Sequence, residues 1–262
     1  MLTGPMAIGR APVQAELCAV RPRDTERQES SMPNQPTSAP GETAGSEWTA
    51  YRPDPGQETR LTIESFLDAL TAAEPDDPGL GQRVRDRHRD LINGHEGQLV
   101  DEQSWMNLKM ALALLAAYQE LKENYPDEIL LPRLQEAFVE PLRPFVARAT
   151  ASTLDGAEDA FSAMVAITRE REETFFGRSF LFEHPVDDEN QYIAEVHRCQ
   201  YHDVLVANDA AQLTPILCAF DATWIDVIDP SRHGFTFERP STIGTGGNTC
   251  PFMFRRNEGG RS

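Results

Sequence analysis

The stretch "RSFLFEHPVDDENQYIAEVHRCQY" (residues 178–201) marks the point at which the apolar pattern changes from helical to strand-like. It contains two short runs rich in aromatic and β-branched residues, separated by polar residues, and each run is typical of a β-strand. Two segments of the same kind follow, "GFTFERP" at 234–240 and "CPFMFRR" at 250–256. Between the second and third strands, residues 209–228 predict a helix that is broken near Pro215.

Upstream of this change the sequence predicts helices. The best-defined helix covers residues 101–124, where apolar side chains recur at spacings of three and four: Trp105, Leu108, Leu112 and Leu115. Other helices are predicted from residue 59, from Leu80 and over 155–176, and a broken one around Pro132, Pro141 and Pro144. This order favours an α+β fold, in which an N-terminal helical half packs on a small antiparallel sheet formed by the C-terminal half.

The first 58 residues differ from the rest in composition, being rich in Pro, Ser, Gln, Glu and Gly without an apolar period. Such a segment cannot bury enough apolar surface to offset the entropy of ordering. We predict a disordered tail over residues 1–58 and a single α+β catalytic domain over 59–262, helical at 59–176 and strand-rich at 177–258. Cys18 lies in the predicted tail and is left out of the candidate site.

Charge limits the partners of this protein. The chain of 262 residues has 42 acidic and 24 basic residues, a formal net charge of −18. Such a surface repels nucleic acid and anionic lipid, so neither is expected as a partner. A small-molecule substrate is expected instead, and self-association into a homo-oligomer is left open.

The longest apolar run, residues 110–118, is short of the ~18–20 residues that span a bilayer. With no apolar signal segment at the start, a cytoplasmic protein with reduced thiols is expected.

Three cysteines follow the change of pattern: Cys199, Cys218 and Cys250. Together with a histidine they would suffice for a zinc site, but their separations match no usual zinc module, so no metal is predicted. Motifs that bind nucleotides or dinucleotides, or that position a nucleophilic serine, are missing from the sequence, and no cofactor is predicted. The alternative to a reactive role is that the thiols are small core residues.

If residues 191–201 form one pleated strand, Glu195, His197, Cys199 and Tyr201 lie on the same face. An acid, an imidazole, a thiol and a phenol on one face suggest a site, although a solvent-facing edge has the same composition. The pattern therefore makes His197 a candidate catalytic residue and Glu195 a candidate for binding substrate.

The other two cysteines have different surroundings in the sequence. Cys218 and Asp221 are three residues apart in a predicted helix and share a face, and the carboxylate disfavours a thiolate. Asp221 is better suited to orient a histidine, an amidinium group or a water. Cys250 follows the glycine-rich "IGTGGNT", whose backbone N–H groups can lower a thiol pKa. We therefore expect Cys250 to be the most reactive thiol, ahead of Cys218 and Cys199.

The ordered set "VHRCQY", "LCAFD" and "FERPSTIGTGGNTCPF" resembles the L-2-amino-thiazoline-4-carboxylic acid hydrolase family. The family's motifs are C-x-Y, C-x-x-D, E/R-x-x-T and G-x-x-C-x-F. They fall here on Cys199 and Tyr201, Cys218 and Asp221, Glu238, Arg239 and Thr242, and Gly247, Cys250 and Phe252. The resemblance covers about residues 175–256. Pro251 stands where the family often has an acidic residue.

The resemblance implies a hydrolase that opens a small ring at a cyclic C=N carbon, using a cysteine thiolate and Asp221. The carboxylate of such a substrate needs a cation, and Arg239 is the candidate because arginine pairs with carboxylates through two hydrogen bonds. Tyr201, Thr242 and Gly247 complete the expected substrate-binding set. Two alternatives remain: a cofactor-independent cyclase, isomerase or lyase of natural-product metabolism, and a non-catalytic ligand-binding module.

Overall fold

The computed structural model describes residues 54–95, 97 and 100–257. The predicted tail therefore lies almost entirely outside the described residues. The first helix begins at Pro55, inside the segment assigned to the tail, because Asp54 caps it: a side-chain oxygen of Asp54 accepts a hydrogen bond of 2.8 Å from the backbone N–H of Gln57.

Helices make up the N-terminal part of the described chain: α1 (Pro55–Ala73), α2 (Leu80–His95), α3 (Glu102–Leu121), α4 (Asp127–Val139), α5 (Arg143–Gly156) and α6 (Ala160–Arg171). A π-helical turn, Glu172–Phe176, extends α6. The strands and shorter helices follow: β1 (Leu181–Asp187), β2 (Gln191–Arg198), α7 (Gln200–Ala207), α8 (Thr214–Ala219), α9 (Ala222–Ile225), α10 (Pro230–His233), β3 (Phe235–Glu238) and β4 (Cys250–Arg256).

Helix α3 is the centre of the helical half. Residues 111–117 are fully buried, because α1, α2, α4 and α7 all pack around this helix. A helix that is apolar on every side is suited to such a position. None of the described helices is long and apolar enough to cross a membrane.

Prolines shape the next segment largely as predicted. Helix α4 ends at Val139, and α5 begins with Pro144 in its first turn, where a missing N–H costs nothing. Pro132, by contrast, lies inside α4 without ending it.

The four strands form one antiparallel sheet in the order β1-β2-β4-β3. Strand β4 lies between β2 and β3, and its register places Cys250 opposite Val196 and Phe254 opposite Tyr192. These residues share the inner face, which packs on α5 and α6 through Leu154, Phe161 and Met164. The predicted α+β fold, with a helical half and a small antiparallel sheet, is confirmed.

Candidate active site

The three thiols after the change of pattern come from three different elements. Cys199 is the N-cap of α7, Cys218 lies in α8 and Cys250 begins β4. Cys199 and Cys218 are partly exposed, Cys250 is 7 % exposed, and all three are free thiols. The groups are close enough that ionised Cys218 or Cys250 would raise the pKa of Cys199.

One expectation about this region was wrong. Strand β2 ends at Arg198, and Tyr201 lies in helix α7, so Cys199 and Tyr201 do not share a strand face with Glu195 and His197. Cys199 is instead at a helix N-terminus, where the backbone of His202 and Tyr201 lowers the pKa of its thiol against the effect of burial.

The glycine-rich turn before β4 lies against two thiols. The backbone N–H of Ile243 donates to Cys250 Sγ at 3.0 Å. Thr242 and the backbone of Gly244 act on the other thiol, since each lowers the pKa of Cys218. Gly244 permits this close approach, since a Cβ there would lie 2.9 Å from Cys218 Sγ and 2.8 Å from Thr214 Cγ2. Gly247 also lies close to its neighbours, with a Cβ position 3.0 Å from the carbonyl oxygen of Thr242.

These donors do not make the thiols acidic. Burial raises the pKa of Cys250 to about 11 and that of Cys199 to about 12, and it also raises the pKa of Cys218. The loss of hydration of the thiolate therefore outweighs the hydrogen bonds. The expectation that the turn gives Cys250 a low pKa was wrong, and the three thiols are protonated at neutral pH.

Asp221 lies directly after α8 and forms an ion pair across the site. Its Oδ2 is 2.5 Å from Nη1 of Arg239, and its Oδ1 accepts a hydrogen bond of 3.2 Å from the indole of Trp224. Arg239 also donates to the carbonyl oxygen of Cys218 at 3.1 Å and lies over the ring of Phe252. Burial raises the pKa of Asp221, and Arg239 opposes this shift. Arg239 thus binds Asp221 rather than standing free for a substrate.

A second ion pair lies on the helical side and was missed from the sequence. Arg171, at the end of α6, binds both oxygens of Glu58 in α1 at 2.8 and 3.1 Å. Its guanidinium lies over the ring of Phe175 at 4.3 Å. Asn107 of α3 connects this side to the thiols: it donates to the carbonyl oxygen of Phe175 at 2.6 Å and accepts a hydrogen bond from the hydroxyl of Tyr201. The sequence does give a signal for Asn107, because it is a polar residue inside an apolar helix.

The two ion pairs and the thiols surround the same region. Burial raises the pKa of Tyr201 well above its usual value; Cys199 and Asp221 also raise it, while Arg171 lowers it. Arg171 also favours the charged form of Asp221. The structure therefore brings together Cys199, Cys218, Cys250, Tyr201, Asp221, Arg239 and Thr242, with Arg171 and Glu58 added.

His197 and Glu195 lie elsewhere. Glu195 pairs in register with Pro251, so it faces away from the side of the sheet that carries Cys250 and Val196. His197 Nε2 is 3.3 Å from Glu195 and 3.4 Å from Glu183 on this outer face. The sheet separates these two predicted site residues from the thiols.

A cleft of about 910 Å³ lies apart from the thiols, between the start of α6, the β1–β2 turn and α10. Its basic side chains bind neighbouring acids, as in the pairs Arg256–Asp159 and Arg169–Asp187. We place the candidate site at the thiols because the chemically reactive groups lie there. Within residues 54–95, 97 and 100–257, no group of three or more His, Cys, Asp or Glu side chains is arranged to hold a metal ion.

Comparison with known proteins gives one match. The family described as L-2-amino-thiazoline-4-carboxylic acid hydrolase matches residues 106–254, which is more than half of the chain. This span contains the three thiols of the site, Asp221, Arg239 and Arg171, whereas Glu58 precedes it. Neither a curated protein nor a solved structure matches the chain.

Proposed function

Because the chain belongs to the L-2-amino-thiazoline-4-carboxylic acid hydrolase family, we propose that it hydrolyses a small ring containing nitrogen and sulfur, at the C=N carbon of an amino-acid-derived substrate. The observation that supports this proposal most directly is that thiols from three elements lie close together, with Cys218 and Cys250 beside the Asp221–Arg239 pair. A thiol that can add to an electrophilic carbon, beside a carboxylate that can move a proton, is what opening an amidine-like ring requires.

Asp221 is suited to bind the amidine end of such a ring. Each oxygen of a carboxylate has two lone pairs, so Asp221 can accept hydrogen bonds from the ring nitrogen and the amino group while it keeps Arg239 and Trp224. A hydrogen bond between a protonated amidine and a carboxylate is charge-assisted and therefore strong. This contact would place the C=N carbon near the thiol one helical turn away.

Cys218 is the nucleophile we propose, ahead of Cys250. Cys218 is partly exposed, whereas Cys250 is 7 % exposed. Thr242 and Gly244 both lower the pKa of Cys218, so they would stabilise negative charge developing on its sulfur. This reverses the order that the glycine-rich turn indicated, because the turn serves Cys218 as well as Cys250.

The reaction we propose has two steps. In the first, the sulfur of Cys218 bonds to the carbon of the protonated amidine, and the proton of Cys218 passes to Asp221. The carbon–sulfur bond of the ring then breaks, and Asp221 gives that proton to the substrate sulfur, which stays on the substrate as a thiol. In the second, water attacks the carbon held by Cys218 and the bond to Cys218 breaks. One proton of the water restores the thiol of Cys218, and one proton is released. The sum is one protonated substrate plus one water, giving a carbamoyl-cysteine and a proton.

The test is turnover of L-2-amino-thiazoline-4-carboxylate in isotope-labelled water, followed by mass spectrometry of the product. We expect one labelled oxygen per product. Cys218→Ala and Asp221→Asn should reduce kcat by about a hundredfold or more, whereas Cys18→Ser, outside the matched residues, should not change it. An unlabelled product would point to an isomerase, cyclase or lyase. An active Cys218→Ala variant would point to water directed by Asp221 without a covalent step.

A further inference from the structure

The cation expected from the sequence to bind the substrate carboxylate is already occupied. Arg239 is 16 % exposed, and its guanidinium binds Asp221 and the carbonyl oxygen of Cys218 while stacking on Phe252. A substrate carboxylate at Arg239 would compete with Asp221 and weaken the charge that holds the amidine end. One arginine is therefore poorly placed to serve both ends of the ring.

Arg171 is the more accessible cation of the site. Its side chain is 38 % exposed, against 16 % for Arg239. Burial lowers the pKa of Arg171, but Glu58 outweighs this effect and raises it overall, with smaller contributions from Tyr201 and Asp221. The guanidinium is thus held in its charged form on the helical wall of the site.

Contacts join Arg171 to the thiols through a short chain of residues. Arg171 packs on Phe175, whose carbonyl oxygen binds Asn107, and Asn107 binds the hydroxyl of Tyr201. Tyr201 in turn packs in the cluster that contains Cys250. This path connects Arg171 to Tyr201 through two residues, and the charge of Arg171 acts on both Tyr201 and Asp221, whose pKa values it lowers.

We infer that Arg171 binds the carboxylate of the substrate and so makes the site select rings derived from amino acids. This rests on the proposed function. A guanidinium has five N–H groups, and the contacts of Arg171 with Glu58, like those of Arg239, involve only Nη1 and Nη2. The Nε side of Arg171 can therefore bind a second carboxylate, and its greater exposure favours it over Arg239. Glu58 then fixes the direction of the guanidinium and is a positioning residue. With Asp221 at the amidine end and Arg171 at the carboxylate end, the site suits a zwitterion.

The experiment compares two ring compounds, 2-amino-thiazoline-4-carboxylate and 2-amino-thiazoline, which lacks the carboxylate. In the natural protein, kcat/KM should favour the carboxylate compound. Arg171→Gln should remove about ten- to a hundredfold of this preference, mainly through KM, and change the smaller compound little. Arg169→Gln is the matched control, because Arg169 lies on the same helix but pairs with Asp187. It should leave the preference unchanged.

Folding is controlled with a second pair of variants. Removing Arg171 alone leaves Glu58 without its partner, so Arg171→Gln is also made in a Glu58→Gln background and compared with Glu58→Gln alone. The double variant should lose the preference that Glu58→Gln retains. If the preference survives the loss of Arg171 and disappears in Arg239→Gln, the carboxylate lies at Arg239 and the inference is wrong, while the hydrolase proposal stands.

Direct binding separates this inference from the proposed function. Titration calorimetry on the same variants gives the affinity for each compound whether or not it is turned over. Without turnover in the natural protein the hydrolase proposal fails. Tighter binding of the carboxylate compound, lost in Arg171→Gln, would still support Arg171 as its site. Equal binding of the two compounds by the natural protein would overturn the inference.

Discussion

Arg239 binds the carboxylate of Asp221 and, through its other terminal nitrogen, the carbonyl oxygen of Cys218. A single side chain from the segment after β3 therefore stabilises the ionised form of Asp221 and also binds the C-terminal part of the helix that carries Cys218. This arrangement makes Arg239 a positioning residue in our proposal, with an effect on activity that depends on pH.

Replacing Arg239 should shift the acidic limb of the pH–rate profile. Arg239 lowers the pKa of Asp221 against the effect of burial, so Arg239→Gln should raise that pKa further. If activity needs the carboxylate, the acidic limb of kcat/KM moves to higher pH, and Arg239→Lys restores part of the difference. Arg198→Gln, on an exposed pair with Asp203, is the control. An acidic limb that stays in place would mean that Asp221 does not titrate in the reaction.

Gly244 should tolerate no side chain. A Cβ at this position would meet Cys218 Sγ at 2.9 Å and the backbone of Thr214 at 3.2 Å, so the turn or the helix must move. We expect Gly244→Ala to cost about 1–3 kcal/mol of stability, as overpacking does, and to reduce kcat by tenfold or more, on the order of what loss of one oriented donor costs. Gly94→Ala is the control, because nothing lies within 4 Å of its Cβ position. Full activity in Gly244→Ala would separate this turn from the chemistry.

The thiols should react slowly at neutral pH. With the pKa of Cys250 at about 11 and that of Cys199 at about 12, little thiolate is present, and alkylation should be about a hundredfold slower than in the unfolded protein. The same shifts stabilise the fold below the unfolded thiol pKa of about 8.5, and this contribution is lost as pH rises towards 11. Peptide mapping after timed alkylation, and denaturant unfolding from neutral to alkaline pH, measure the two effects. Rapid alkylation of Cys250 in the folded protein at neutral pH would contradict them.

Asp101 should stabilise the start of α3 through its charge. Burial raises its pKa, but hydrogen bonds from Ser104 and Arg178 outweigh this effect and lower the pKa to about 2. The contribution is present above the unfolded pKa of about 4 and is lost as pH falls towards 2. Asp101→Asn should cost about 2 kcal/mol at neutral pH, and the difference should shrink below pH 4. Glu102→Gln, one residue further and exposed, should have little effect at either pH.

Two truncations test the predicted boundary of the tail. A chain that begins at Tyr51 keeps the Asp54 cap and the Glu58–Arg171 pair, whereas a chain that begins at Thr59 loses both. The first should melt close to the full chain, and the second several degrees lower, as expected for a lost cap and a broken pair. Melting temperatures from circular dichroism decide this. A large loss in the longer chain would show that residues before Tyr51 support the fold.

The fold could be predicted because its signals are local. Aromatic and β-branched runs such as residues 250–256 alternate over a few residues, and helix caps such as Asp101 precede their helices directly. The end of β2 could not be predicted in this way. Strand β4 begins opposite Val196, so β2 has no partner on that side beyond this residue, and the chain turns into α7 at Cys199. The residue at which β2 ends therefore depends on β4, a strand some fifty positions further along the chain.

Part of the site depends on contacts that no local pattern encodes. The cysteines stand out because the chain has only four, and Asp221 stands out because it lies three residues after one of them. Arg171 and Glu58 do not stand out, because they are 113 positions apart and Glu58 is one of 42 acidic residues. Burial, which raises the thiol pKa values, is likewise a property of the whole fold.

The interior place of β4 has a consequence for shortened forms of the protein. In a released chain that ends at residue 249, β2 and β3 each lack the neighbour that separates them in the sheet. Their unpaired edges can then join strands of other chains, and the thiol of Cys250 is missing. A message shortened by one strand would thus yield an aggregation-prone product without a complete site, rather than a weaker version of the same protein.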